Sequence, residues 1–477
     1  MKIFRFFILI SLLYSCNIDR NAKDQNLISF SEKNYEEAFQ LIDYWLDAQK
    51  DYENIPGINA MVGNEDGIVW SGAYGLANDI DTISIENTFS ICSISKLFTS
   101  VAIMKLVEEK KLNLNDTIGK ILPWFDLKQQ FENSTAITIK SILTHSSGLP
   151  RESNHPYWTS PDFPFPTKDA VIKELKNQEM LYPSSKYYQY SNLGLTLLGY
   201  VIEEISGESF DDYIAKNIFD PLSMSYTKTY MSEKEYGDLL SVGYSSIKRD
   251  REREKVNFFN ANGIAAAAGF TSNVEDLGKF ATWQLQLLKS SGKKIISSET
   301  LKEMHKIHWN DKLTSVTRGL GFGVYKLNGE KFIGHSGSCP GYRSSLVLSP
   351  EIGVSYLVMI NSSGINPVKY IVGIDNILKK VTKHKDSISN KFKELEGKYN
   401  HQPWGSEFYV QSWGDNLAIM DIPSENPYLT LYKKTKKDFF KRILENDDLG
   451  EELEVLRDEN NVVIGFKSHQ NIFHKIK

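Results

Sequence analysis

The feature that most constrains this chain is where its strand-like runs fall. They stand near the start and again in the last third, with a helical, loop-rich middle between them. Residues 55–78, IPGINAMVGNEDGIVWSGAYGLAN, carry alternating apolar runs about a turn at 64–67 and read as a β-hairpin. Beyond residue 320 come GLGFGVYKL, EKFIGHSG, SSLVLSP and VSYLVMIN, each short and bounded by turn residues. The two ends are expected to pair in one mainly antiparallel sheet flanked by helices, with the middle inserted as a helical lobe. The expected class is α+β.

Two segments of the middle are strongly patterned. From Ser93 onward Leu97, Phe98, Val101, Ala102, Ile103 and Leu106 leave no polar face before a charged turn at 108–111. A helix apolar all round is a buried central helix. Residues 193–207, LGLTLLGYVIEEISG, predict a second helix stopped by glycine. A further helix is expected at 367–381, followed by the basic run KKVTKHKD, which reads as a solvated linker. From Phe392 onward, β-like runs separated by turn residues, among them DENN before Val462, predict a small β domain.

The chain has 477 residues, too many for one ordinary core. A net charge of −5 without sign bias gives no footprint for nucleic acid. Lys2 and Arg5 precede the apolar run FFILISLL, a signal-peptide pattern too short to span a bilayer well. LYSC, ending at Cys16, resembles a bacterial lipobox, which implies cleavage before Cys16 and lipid on its sulfur. Multiple acyl chains would anchor the protein stably. The expected organisation is a leader at 1–15, a lipid-anchored tether at 16–35, a catalytic domain at 36–382, a linker at 383–391 and the β domain at 392–477. The remaining cysteines, Cys92 and Cys339, make no disulfide framework; both stand beside candidate site residues, which makes a bridge conceivable, but small buried side chains are the expectation.

Ser93 and Lys96 are three residues apart at the start of the central helix, so both side chains share one face. A helix N-terminus favours negative charge on the serine. Burial depresses the lysine pKa, and a nearly neutral amine can take a hydroxyl proton. The pattern alone decides nothing, because Ser-x-x-Lys recurs at Ser225/Lys228, Ser245/Lys248 and Ser290/Lys293. A capping serine with an outward-reaching lysine fits the stretch equally well. Two further stretches bear on it. YYQYSNLGL sets Tyr190, Ser191 and Asn192 before a helix, and FIGHSGSCPGYRS sets His335, Ser336 and Gly337 at a strand end.

Ser-x-x-Lys, Tyr-x-Asn and basic residue–Ser/Thr–Gly, in that order, resemble the motif set of penicillin-recognising serine enzymes. The likeness is greatest to class C β-lactamases, D-alanyl-D-alanine carboxypeptidases and related esterases. It extends to ITIKSILTHSSGLP, GESFDDYIAKNIFDPLSM, AAAAGFTSNVEDLGKF and GHSGSCPGYRS and covers about residues 40–380. The resemblance implies the β-lactamase/transpeptidase-like fold and cleavage of an amide or ester through an acyl-Ser93 intermediate.

In the roles it implies, Ser93 attacks, and Lys96 or Tyr190 removes its proton. A base role for Tyr190 requires a pKa well below 10, supplied by Lys96 and protonated His335. Asn192 hydrogen-bonds Lys96 and the substrate amide. The N–H groups of Ser93 and Ser338 form the oxyanion hole. His335, Ser336, Gly337 and Arg343 complete the substrate site, and His145 is expected to be structural. Histidine at 335, where β-lactamases carry lysine, argues against efficient β-lactam turnover.

The expected protein is an exported, membrane-anchored bacterial lipoprotein, in periplasm or at the surface, of D-alanyl peptidase or esterase type. Its substrate is a small molecule or peptide with a carbonyl centre. A class C-like β-lactamase and a non-catalytic binding lipoprotein are the alternatives. No metal-ligand spacing or phosphate loop is present in the sequence, so no cofactor is expected.

Overall fold

A computed structural model describes Ile28, Phe30 and residues 34–381 and 391–476. The leader, Cys16, nearly all of the tether and residues 383–390 of the expected linker lie outside the described residues.

Helix α1 (Glu36–Tyr52) leads into strands β1 (Gly57–Asn64) and β2 (Gly67–Gly75). Asn64 Oδ1 accepts from the N–H groups of Asp66 and Gly67 at 2.8 and 3.1 Å, an Asx turn that fixes the hairpin. The late strands are β3 (Trp309–Asn310), β4 (Thr317–Arg318), β5 (Gly323–Leu327), β6 (Glu330–Cys339), β7 (Tyr342–Ser349) and β8 (Val354–Ile360). Together they form one antiparallel sheet in the order β2-β1-β8-β7-β6-β5-β4-β3. The two ends meet where β1 pairs β8, with Ile58 opposite Ile360.

Every residue of β1 and β8 is buried, because both faces of the sheet are covered. Successive side chains point to opposite faces. Met61 accordingly enters the core beneath the helical lobe, whereas Ala60 and Val62 pack on the side of α1 and the late helix Pro367–Lys379.

The central helix, α2 (Ser95–Glu108), follows a 3-10 turn at Cys92–Ile94, and its residues 95–104 are all buried. Helix α3 (Asn192–Ser206) packs against it and ends at Gly207, whose φ of 72° is the left-handed cap that glycine allows. Helix α4 (Ala265–Ala268) lies against both.

The C-terminal eight strands, from Gly397–Asn400 to Asn471–His474, pair in sequential order. Ile476 N–H donates to Lys398 O at 2.8 Å, bringing the last strand back towards the first in a near-barrel. This unit has its own core around Tyr399, Phe408, Phe440 and Phe466. It is not free-standing. Trp413, Met420 and Ile422 share an apolar cluster with Trp45 and Leu46 of α1, and the rings of Tyr44 and Tyr409 stack with centroids 3.7 Å apart.

One expectation is overturned. Cys92 and Cys339 form a disulfide with Cα atoms 5.8 Å apart. They are 247 residues apart in the chain, and only the docking of the end of β6 on the 3-10 turn brings them together.

Candidate active site

The turn that starts the central helix presents Ser93, partly exposed, on the wall of a cleft of about 490 Å³. Lys96 is 1% exposed, and its Nζ lies 3.0 Å from Ser93 Oγ and 2.6 Å from Ala267 O of α4. Among the described residues no carboxylate is in contact with Lys96 Nζ. Burial holds its pKa well below the ordinary lysine value, opposed by the field of Glu152. An amine that holds its proton less tightly than an ordinary lysine, 3.0 Å from a hydroxyl, is placed to exchange a proton with it. The other Ser-x-x-Lys lysines lack this setting. Lys228, Lys248 and Lys293 are ion-paired with Glu235, Glu254 and Glu108.

Tyr190 stands beside the pair, its ring centroid 5.0 Å from Lys96 Nζ and its phenol close enough to Ser93 to interact with it. Its expected acidification does not occur. Desolvation pushes the phenol up to about 12, only partly offset by the interaction with Ser93 and by the charges of Arg318 and Arg151. The cations invoked from sequence are both weakened by burial. His335 sits well below the usual histidine range, chiefly through desolvation, with Arg318 and Lys96 adding to it. His145, expected to be structural, is buried. Its Nδ1 accepts from Ser191 N–H at 3.2 Å and its ring lies 4.3 Å from that of Tyr190.

Asn192 departs from its expected role. Its Nδ2 donates to both carboxylate oxygens of Glu152, at 2.8 and 3.0 Å, and not to Lys96. Its Oδ1 is buried without a partner among the described residues. Glu152 also accepts from the Tyr157 hydroxyl, and Arg151 Nε lies 3.2 Å from it. The carboxylate outcompetes a neutral amine as the acceptor for an amide N–H.

The end of β6 forms the opposite wall. Gly337 is required here by space. A Cβ would lie 2.2 Å from Ile91 O and from Ser344 Oγ, so only glycine lets the strand approach the nucleophile turn. Ser338 and Cys339 line the cleft. Ser336 Oγ is engaged with Ser345 Oγ at 3.0 Å. His335 Nδ1 is 2.7 Å from Ser336 O, so in the neutral ring Nδ1 carries the proton and Nε2 is an acceptor; Nε2 is buried without a partner. Arg343 lines the cleft as well. Its guanidinium donates to Cys339 O and Tyr342 O, both at 2.8 Å, and makes no ion pair among the described residues.

The sequence did not single out Arg151, Glu152, Trp158 and Phe163, which also line the cleft, or Arg318, whose charge acts on Tyr190, Lys96 and His335. The one available signal was the charged pair directly after the quoted stretch ending in Gly148, Leu149 and Pro150. Arg318 carried none.

The profile of the Beta-lactamase family matches residues 42–370, most of the chain. The chain belongs to that family. Protein flp of Staphylococcus aureus (strain COL) is 26% identical over 339 residues, which are 68% of this chain and 63% of the relative. Beta-lactamase-like protein 2 of Dictyostelium discoideum is 27% identical over 234 residues, 48% of this chain and 42% of the relative. This chain thus spans less than two thirds of either relative. Among solved structures, the octameric penicillin-binding protein homologue from Pyrococcus abyssi superposes with a TM-score of 0.63 at 24% identity, covering 92% of this chain and 99% of that one. D-amino acid amidase from Ochrobactrum anthropi SV3, complexed with D-phenylalanine, superposes with a TM-score of 0.62 at 19% identity, covering 72% and 100%. The fold is therefore the β-lactamase/transpeptidase-like one, carried in a family of serine hydrolases.

Proposed function

We propose that this protein is an amide hydrolase acting through an acyl-Ser93 intermediate on small D-alanyl-type peptides or amides. The observation that carries the reading is the buried Lys96 amine 3.0 Å from Ser93 Oγ, with no carboxylate among the described residues in contact to hold its proton. Lys96 is the acylation base. Tyr190, a phenol with a pKa of about 12, keeps its proton at neutral pH and hands it to the leaving amine, drawing the Ser93 proton back through Lys96. The N–H groups of Ser93 and Ser338 receive the oxyanion.

The cleft chemistry supports an amino-acid-like substrate. Glu152 and the unpartnered Asn192 Oδ1 offer acceptors for N–H groups on one wall, and the unpaired Arg343 offers a cation for a carboxylate on another. Two solved neighbours are, by their titles, a D-stereospecific amidohydrolase and a D-amino acid amidase. Neutral His335 is a poor attractant for a carboxylate, which sets this site apart from a β-lactamase.

The test compares D-alanine p-nitroanilide and a D-alanyl-D-alanine peptide with p-nitrophenyl acetate and a chromogenic cephalosporin. Turnover of the D-alanyl amides above the cephalosporin supports the reading. Turnover of the acetate alone selects an esterase, which the apolar walls Trp158, Phe163 and Val256 would suit. No turnover by any arm returns the binding-protein alternative.

Export and lipid anchoring at Cys16 are part of the proposal. The basic leader with its apolar run and the lipobox-like LYSC support them. A disulfide is also at home outside a reducing cytosol.

A further inference from the structure

The oxyanion hole assigned above is built from two pieces of chain that share no backbone ladder. Ser93 lies on the 3-10 turn Cys92–Ile94 and Ser338 lies on β6. The residues just before the turn, Phe89 and Ser90, pair with Ser272 and Thr271 and not with the large sheet. Contact between the turn and the sheet includes the hydrogen bond from Ser344 Oγ of β7 to Ile91 O, 3.0 Å, the 3.4 Å approach of Ser90 Oγ to Cys339 Sγ, and the close approach of β6 that the absence of a side chain at Gly337 allows. One covalent link crosses the gap, the disulfide Cys92–Cys339. Each half of it is the chain neighbour of one donor residue, Cys92 of Ser93 and Cys339 of Ser338. The turn is also held in a conformation it would not choose. Cys92 has φ of 50°, in the left-handed region that residues with a Cβ avoid unless their surroundings impose it.

We infer that the Cys92–Cys339 disulfide is a positioning device for catalysis: it fixes the Ser93 and Ser338 N–H groups at the separation the oxyanion needs, so opening it lowers turnover and leaves substrate affinity in place. This rests on the reading of Ser93 as the nucleophile. Oxyanion donors act only within a narrow window, about 2.7–3.1 Å from the developing charge. The ground-state carbonyl makes weaker demands, which is why the effect falls on kcat and not on KM. Opening is a two-electron reduction. A dithiol such as dithiothreitol attacks one sulfur, the S–S bond breaks, two thiols form on Cys92 and Cys339, and the dithiol leaves as a cyclic disulfide. Cys92 is fully buried and Cys339 is 5% exposed, but Cys339 lines the cleft, so a reductant reaches the bridge by the substrate's own route and bound substrate shields it.

The experiment uses the purified full chain in oxidised, dithiothreitol-treated and reoxidised forms, with the double variant Cys92→Ser/Cys339→Ser and with Ser93→Ala. Bridge state is read as the mass added by iodoacetamide. The functional readouts are kcat and KM on the best substrate of the panel above, and the Ki of a boronic acid that forms a tetrahedral adduct on serine. The expected result is a fall in kcat of about 10- to 100-fold on reduction, the loss characteristic of a weakened oxyanion donor, with KM within about twofold. The boronate Ki should rise in step with the loss of kcat, and reoxidation should restore both. The double variant should match the reduced form and ignore dithiothreitol.

Three results overturn the inference. One is unchanged kcat in a protein whose two thiols have been alkylated, or in the double variant if the bridge resists reduction. Another is a loss in which the melting temperature and KM move while the boronate Ki does not, since that is a merely structural role. The third is two alkylatable thiols before any reductant is added. Ser93→Ala separates the layers. Activity surviving in that variant refutes the nucleophile assignment, whereas an inactive Ser93→Ala beside a fully active reduced enzyme refutes the bridge alone.

Discussion

Gly337→Ala is the substitution whose effect the geometry specifies most closely. The added methyl would lie 2.2 Å from Ile91 O, 2.2 Å from Ser344 Oγ and 3.1 Å from Cys92 Cβ. The Ser344 hydroxyl can rotate away, giving up its bond to Ile91 O at a cost of about 1 kcal/mol. Ile91 O is backbone and cannot. An ordinary carbon–oxygen contact is about 3.3 Å, so the strand and the nucleophile turn must separate by about 1 Å. Overpacking of this kind costs about 1–3 kcal/mol, a loss of a few degrees in melting temperature. The same displacement carries the Ser338 N–H out of hydrogen-bonding range of the oxyanion, worth about 100- to 1000-fold in kcat. Stopped-flow acylation by p-nitrophenyl acetate, read beside a thermal melt, measures both. A folded Gly337→Ala protein acylating within about threefold of wild type would refute the placement of the hole.

Lys96→Met should slow acylation by about 100- to 10,000-fold and raise stability by about 1–3 kcal/mol, because a buried amine is replaced by an apolar chain of similar length; unchanged acylation removes Lys96 as base. The wild-type acylation rate should climb with pH as Lys96 loses its proton, with an inflection well below 10.5, and a rise only in the ordinary lysine range would contradict the burial argument. The sign for stability follows the same shift. Between its depressed folded pKa and 10.5 the native state binds fewer protons at Lys96 than the unfolded chain, so this group's contribution improves as pH rises through that window, and Lys96→Met should flatten it in denaturant titrations. Glu152→Gln should raise KM for D-alanine p-nitroanilide about tenfold and leave p-nitrophenyl acetate within about twofold, since only the amide substrate offers an ammonium to the carboxylate. Removing residues 391–477 uncovers Trp45 and Leu46, both fully buried, and at about 1.5–3 kcal/mol for each such side chain the truncated protein should melt far lower or aggregate; a melt within a few degrees of the full chain would show that the C-terminal unit is dispensable.

The sheet was legible because its evidence is local. The hairpin at 64–67, the short turn-bounded runs of the late strands and the apolar surround of α2 each encode their own geometry, and pairing the two ends is the simplest way to bury both. The grouping of Ser93, Lys96, Tyr190 and the end of β6 was legible only through ordered motifs, since no spacing rule brings residue 93 to residue 337. What the sequence hid depends on long-range packing. The disulfide needs a turn and a strand end 247 residues apart to touch. The tyrosine shift needs the balance between desolvation and the charges of Arg151 and Arg318, and that balance favours the protonated phenol. Asn192 turns to Glu152 because a carboxylate stands 2.8 Å away, a neighbour invisible in Tyr-x-Asn itself. The β domain was legible as a set of strands, but its dependence on α1 rests on Trp413, Met420 and Ile422 completing a core begun by Trp45.

The central claim is that Ser93 is a nucleophile activated by Lys96. An intact-mass time course of the purified chain with a fluorophosphonate, on wild type, Ser93→Ala and Lys96→Met, tests it most directly. The account predicts one adduct on wild type, mapped by peptide digestion to Ser93, none on Ser93→Ala, and formation on Lys96→Met slowed by at least about 100-fold. An adduct on Ser93→Ala, or equal rates on wild type and Lys96→Met, would contradict it.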